Sequence, residues 1–290
     1  MVRFAAAMES TPLLVTTELV ARIERAECSL LRACAVSSER RNPALDPFVR
    51  PIAGGVAIHA GADSPLSKLA GLGLCGSVDD DELAAIEAVF DARQTPLQVE
   101  LASLAELELA ARLTRRGYAL VGFEDVLGRP LSADEEWSEV EGVEVSPSPE
   151  PELARWLDVV VTGFVHPDTQ GQAAAEELPR EALEQVIGDT ASAEGFSRYL
   201  ARRGPEVAGG ASLRRSEGIA LLCGASTLPI HRRHGVQTAL LSARLADAAR
   251  SGCELAVITT LPGSRSQNNA RRRGFSLLYT RAVLRRDVGG

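Results

Sequence analysis

The chain has 290 residues, 45% of them hydrophobic, and a formal charge of −8. That is enough apolar material for packed cores and the length of one large or two ordinary domains, of which two is the preferred reading. An acidic balance without a known nucleic-acid motif argues against a general nucleic-acid binder, and the absence of any run of 18 apolar residues argues against a membrane-spanning helix.

Taken in order, residues 9–35 read as a helix with Leu19, Ile23, Ala26 and Leu30 on one face and Thr16 or Thr17 as its cap. Asn42-Pro43 and Asp46-Pro47 mark a loop. Residues 54–60 and 66–74 read as two strands joined by the hairpin loop 61–65. A helix to about residue 93 opens on Val78-Asp79-Asp80-Asp81-Glu82, whose carboxylates suit the positive end of a helix dipole. A strand at 97–101, a helix at 104–116 ending at Gly117, and a strand at 118–127 follow.

The second half opens with a strand at 140–145 and helices at 152–165 and 178–187. Three strands at 196–200, 207–213 and 219–222 fit an antiparallel meander. A helix at 237–250 carries Leu240, Leu241, Leu245 and Ala248 at core-facing spacing. A β-branched strand at 255–260, a short helix at 264–273 ending at Gly274, and a closing strand at 275–284 complete the chain. Arg115-Arg116-Gly117-Tyr118 and Arg272-Arg273-Gly274-Phe275 occupy matching places in the two halves, a weak internal repeat.

Charge separates the halves. Residues 201–290 carry fifteen Arg against five Asp and Glu, a balance of +10, which leaves −18 for residues 1–200. The basic end suits a polyanionic small ligand. The five cysteines are scattered and show no metal-ligand spacing with the four histidines, as in a reducing compartment, so no metal is expected. Residues 1–8 are too short for the apolar part of a secretion signal, and a soluble cytoplasmic protein, monomer or homodimer, is expected.

The stretch that organises the chain is Pro229-Ile230-His231-Arg232-Arg233-His234-Gly235-Val236-Gln237-Thr238. A strand meets a basic, glycine-bearing turn at a helix N-terminus. The first-turn N–H groups there have no partner within the helix, so the geometry suits an anion. The bland alternative is a solvated basic loop capping a core helix. In the first half the corresponding helix begins with Asp79 to Glu82, and those carboxylates would repel a pyrophosphate.

Arg232-x-x-Gly235-x-Gln237 resembles the acyl-CoA pyrophosphate loop of GNAT acetyltransferases, with Gln237 where the family carries a small residue. The resemblance covers about half the chain. It implies a mixed α/β (α+β) fold of two GNAT-like domains, each a mostly antiparallel twisted sheet flanked by helices. Residues 1–135 would be a degenerate copy without the cofactor loop and residues 136–290 the acetyl-CoA-binding domain, with central strands 219–228 and 255–261 splayed apart.

By the same resemblance the backbone of Ser226, Thr227 and Leu228 meets the pantetheine arm. Arg232 and the amides of Arg233, His234, Gly235, Val236, Gln237 and Thr238 meet the pyrophosphate. Asn269, preferred over Asn268, touches CoA, and Arg271 to Arg273 face the adenosine phosphate or solvent. The activity implied is acetyl transfer from acetyl-CoA to a small-molecule or peptide amine, with an N–H near Leu228 stabilising the oxyanion. The alternatives are a CoA-binding regulatory module without catalysis, and a fold that binds another phosphorylated ligand. Many GNAT enzymes carry a tyrosine where this chain has Ala270, and a glutamate on the strand before the loop, which has none here. Glu217, His166, Asp168 and Tyr279 are the stand-ins for acid and base.

Overall fold

The computed structural model describes residues 13–62, 64–167 and 179–289. The first helix, α1 (Thr17–Arg41), starts where the Thr16 hydroxyl accepts the Leu19 N–H at 3.2 Å, and it runs six residues beyond the predicted end. The first four residues of the predicted helix, and Asp63 of the predicted hairpin loop, lie outside the described residues. A strand absent from the sequence reading follows, β1 (Phe48–Ile52), then β2 (Gly55–His59), β3 (Lys68–Ala70), α2 (Asp80–Ala92), β4 (Leu97–Ala102), α3 (Leu107–Arg115) and β5 (Ala119–Pro130).

The second half comprises β6 (Glu144–Pro147), α4 (Leu153–Val165), α5 (Arg180–Ala191), β7 (Phe196–Arg203), β8 (Glu206–Ser216), β9 (Ile219–Thr227), α6 (Val236–Arg250), β10 (Leu255–Thr260), α7 (Arg265–Arg271) and β11 (Ser276–Arg286). The predicted helix at 178–187 begins on Leu178, which is not described, and its observed counterpart is α5.

Among the described residues eleven strands join one sheet in the order β1-β2-β3-β4-β11-β5-β10-β9-β8-β7-β6. Most neighbours are antiparallel, and each half has one parallel pair, β3 with β4 and β9 with β10, bridged by a crossover helix. The last strand of each half is exchanged. β11 lies between β4 and β5, and β5 lies between β10 and β11.

Gly117 and Gly274 of the internal repeat are 157 positions apart, and so are Glu124 and Arg281, which face one another in the β5–β11 register. The pseudo-two-fold relating the halves therefore passes through that pair. On the same exchanged strands the Asp125 carboxylate accepts from Thr280 Oγ1 at 2.7 Å and from Gln267 Nε2 of α7 at 2.5 Å, tying the first half to the second.

Strand periodicity sorts the side chains onto two faces. Val56 and Ile58 of β2 join the core under α1, while Ala57 between them joins the core under α2 and α3. In the second half Ala220 and Leu222 of β9 pack under α6, and Ile219 and Leu221 pack under α1. Beneath α1 the apolar core is interrupted by ions. Arg281 Nε is 2.8 Å from Glu24, and Lys68 pairs with Glu100, all on buried stems. Among the described residues no helix is long and apolar enough to cross a membrane.

Candidate active site at the start of α6

β9 and β10 run side by side only through Leu255↔Ile219, Ala256↔Ala220 and Val257↔Leu221, after which they diverge. Residues 222–227 of β9 thus have no ladder partner on their β10 side, an open backbone edge of the kind that takes an extended chain of amides. On its other side β9 is paired with β8, and the register slips between Gly210↔Ser226 and Ser212↔Cys223, where Gly224 has φ +49°. The irregularity bends the strand away from β10. The gap widens into a cleft of about 550 Å³ walled by Ala225 to Thr227, by the start of α6 and by α7.

α6 begins without a side-chain cap. Its N-cap is Gly235 at φ +78°, where a Cβ would come 2.6 Å from Val140 Cγ1, so both conformation and space require glycine. Among the described residues no protein group accepts from the amides of Val236, Gln237 and Thr238. They are left for a ligand at the positive end of the dipole. Gln237, the departure from the family's small residue, is part of the cleft wall.

Six arginines line the cleft (Arg232, Arg233, Arg244, Arg265, Arg272 and Arg273), and among the described residues no Asp or Glu does. They are not equivalent. Arg232 is committed to the protein: its Nε donates to the Thr227 carbonyl at 3.4 Å and its Nη2 to the His166 carbonyl, stapling the end of β9 to the end of α4. Arg273 donates to Thr238 Oγ1 at 2.9 Å and fixes α7 against α6. Arg233 is exposed at the rim.

The other predicted residues divide. Ser226, Thr227, Arg232, Arg233, Gly235, Val236, Gln237, Thr238 and Asn269 come together in the cleft wall. The Thr227 hydroxyl is buried, without a hydrogen-bond partner among the described residues. Asn268 is exposed, and neither it nor Arg271 is in the wall. His234 points to solvent, and His231 turns inward, with Nε2 3.6 Å from Glu206. Leu228 is outside the wall, and its N–H, expected to meet an oxyanion, already donates to Ala208 O of β8 at 3.0 Å.

The predicted proton carriers fare differently again. Glu217 sits in the β8–β9 turn, at the opposite end of β9 from the cleft and roughly 25 Å from Ala225 along an extended strand. There its carbonyl accepts from Arg22 Nε at 3.1 Å, and φ is +50°. Tyr279 is buried beneath α1, where its hydroxyl donates to Glu24 at 2.5 Å; burial and that neighbouring carboxylate push its pKa well up. Neither can serve the cleft. His166 ends α4 beside it, exposed, with Nδ1 3.0 Å from the Thr162 carbonyl, so a donating Nδ1–H leaves Nε2 as the basic nitrogen. Asp168 lies outside the described residues.

Among the cleft residues that the sequence reading does not assign to the site, three stand out. Gly163 and Phe164 of α4 belong to the wall, and a Cβ on Gly163 would meet Ser226 Oγ at 2.4 Å, so its absence lets helix and strand touch. Arg244 is the third. Its signal was present: an arginine on the helical face otherwise built from Leu240, Leu241, Leu245 and Ala248.

Residues 176–275 match the Acetyltransferase (GNAT) family. No curated protein matches the sequence. Among solved structures the chain is similar to a GCN5-related N-acetyltransferase from Kribbella flavida, at 19% identity and TM-score 0.61, covering 89% of this chain and 96% of that one. It is equally similar in fold to a tandem GNAT protein from the clavulanic acid biosynthesis pathway, at 13% identity and TM-score 0.61, covering 95% of each chain. A GCN5-related N-acetyltransferase from Sphaerobacter thermophilus matches at 14% identity and TM-score 0.56, covering 91% of this chain and 92% of that one. The chain thus has the GNAT fold, and the region that matches the Acetyltransferase (GNAT) family, residues 176–275, contains the meander, the basic turn and the helix that shape the cleft.

Proposed function

We propose that this protein is an acetyl-CoA-dependent N-acetyltransferase whose second half holds the donor and whose acceptor is an amine. The observation that carries the reading is a cleft whose described charged lining is arginine, set on an uncapped helix N-terminus and continuing into a gap between two parallel strands. The free amides and the arginines suit the phosphates, and the open edge of β9 suits the amide-bearing arm.

In the transfer the amine nitrogen attacks the thioester carbonyl carbon, a C–N bond forms, the C–S bond breaks, and CoA leaves as the thiol. Holding the two reactants together is the largest contribution the fold makes. His166, exposed beside the cleft, is an ionisable side chain whose Nε2 can take the ammonium proton.

A second reading, a CoA-binding module without turnover, is favoured by one feature. Ala270 stands in the cleft wall, and among the described residues no tyrosine or carboxylate joins it there. Incubation with acetyl-CoA and a panel of amines, followed by thiol release, separates the two readings, since turnover removes the second. Absence of calorimetric heat from folded protein with millimolar acetyl-CoA would falsify both.

A further inference from the structure

Arg244 lies in the cleft wall, yet its residue is only 2% exposed. Its Nε donates to the Leu240 carbonyl at 3.1 Å, and Nη1 donates to the carbonyls of Ser212 at 3.1 Å and Cys223 at 3.4 Å. A guanidinium has five N–H groups, so those on Nη2 remain. Among the described residues none accepts from Nη2, and no carboxylate forms an ion pair with Arg244. The same cleft wall includes the apolar Leu241, Ile258 and Ala270.

Removal from water pushes the Arg244 pKa down to about 10, so the side chain is still a cation at neutral pH. An uncompensated charge in such a place is costly, and it is retained where an ion meets it. The phosphates do not meet it. Arg244 is nine residues beyond Gly235, about 13 Å further along the helix axis. Its Nη1 is held instead at the Cys223 carbonyl, where the β8–β9 register slips, beside the stretch of β9 that has lost its β10 partner and along which the acyl group of an extended thioester would lie.

On the reading that the cleft holds an acyl-CoA, we propose that the preferred acyl group ends in a carboxylate, of malonyl or succinyl type, and that Arg244 Nη2 is its counter-ion. A carboxylate neutralises the buried charge through a charge-assisted hydrogen bond, which a neutral acetyl group cannot do. The carboxylate takes no part in bond making: the C–S bond still breaks at the thioester carbonyl, and the acid end travels intact to the amine.

Calorimetric titration of the full chain with CoA, acetyl-CoA, malonyl-CoA and succinyl-CoA tests this. Wild type is expected to bind at least one carboxylated thioester tenfold or more tighter than acetyl-CoA. In Arg244→Gln that ratio should fall to near one, and Arg244→Lys should keep part of it. Wild type binding acetyl-CoA as tightly as both carboxylated thioesters overturns the inference and leaves the proposed function standing. No binding of CoA itself overturns both. If Arg244→Gln fails to fold because the Ser212 and Cys223 carbonyls lose their donor, the wild-type ranking alone decides.

Discussion

The starts of α2 and α6 occupy the same place in the two halves, each the crossover helix between a parallel pair of strands, and they use it in opposite ways. At α2 the Asp79 carboxylate accepts from the Asp81 and Glu82 amides at 3.0 and 2.9 Å, and Arg112 and Arg116 approach Asp80 at 3.6 and 3.7 Å. The positive end of that helix is satisfied from within. At α6 the cap is a glycine, the amides are unspent, and the surrounding charge is arginine. A helix N-terminus becomes an anion site only where the chain declines to fill it, and here one half fills it and the other does not.

Gly235→Asp breaks the comparison most severely. It gives α6 an internal cap like that of α2 and sets a side chain against Val140 at positive φ. CoA affinity is expected to fall about 100-fold or more by calorimetry, since the carboxylate both occupies the amides and repels the phosphates.

Glu124→Gln sharpens the contrast at the pair on the pseudo-two-fold, where one half supplies an acid and the other Arg281. Burial, then the nearby Glu100, raises the Glu124 pKa from 4.5 to about 7. A raised carboxyl contributes stability that is fully present below 4.5 and is lost as the pH climbs through about 7. The variant lacks that loss. Relative to wild type it should gain on the order of 2 kcal/mol between pH 5 and pH 8, read as a difference in Tm at the two pH values.

Asp79→Ala has the smallest effect. Loss of the cap should cost about 1 kcal/mol and lower Tm by about 2–4 °C. It should create no CoA site, because Asp80, Asp81 and Glu82 remain in the first turn. Heat from CoA in a variant that combines Asp79→Ala with Gly235→Asp would show that the two termini are interchangeable.

Local signals were legible, and long-range ones were not. The β10 strand was read with its observed ends, because a β-branched run in a buried setting carries its own boundary. Of the residues that the family resemblance pointed to between Ser226 and Thr238, Leu228 and His234 lie outside the cleft wall and the others line it. β1 was missed because Pro51 interrupts Phe48 to Ile52, which is tolerated at the sheet edge where that strand lies. The exchange of β5 and β11 left no periodic trace, since a strand's pattern records how many faces are buried and not whose neighbour it is. The same limit misplaced Tyr279, which sits on the expected strand but turns towards α1. Arg232 was placed in the right turn, but only its contacts show that its guanidinium holds the backbone of Thr227 and His166.

The exchanged strands have a consequence during synthesis. β4 and β5 are complete once residue 130 has been made, yet the strand that lies between them ends at Arg286. An emerging chain therefore carries one unsatisfied edge on β4 and two on β5, and the edges that face β11 wait for about 150 more residues, on the order of ten seconds or more at cellular elongation rates. The first half cannot finish before the second exists. Helix α1 and the α2–α3 core can collect early on local contacts, whereas closure of the sheet waits for pairings of very high sequence separation, the slow step in such topologies. A nascent chain halted near residue 200 should thus expose β4 and β5 to any holdase that recognises open strands.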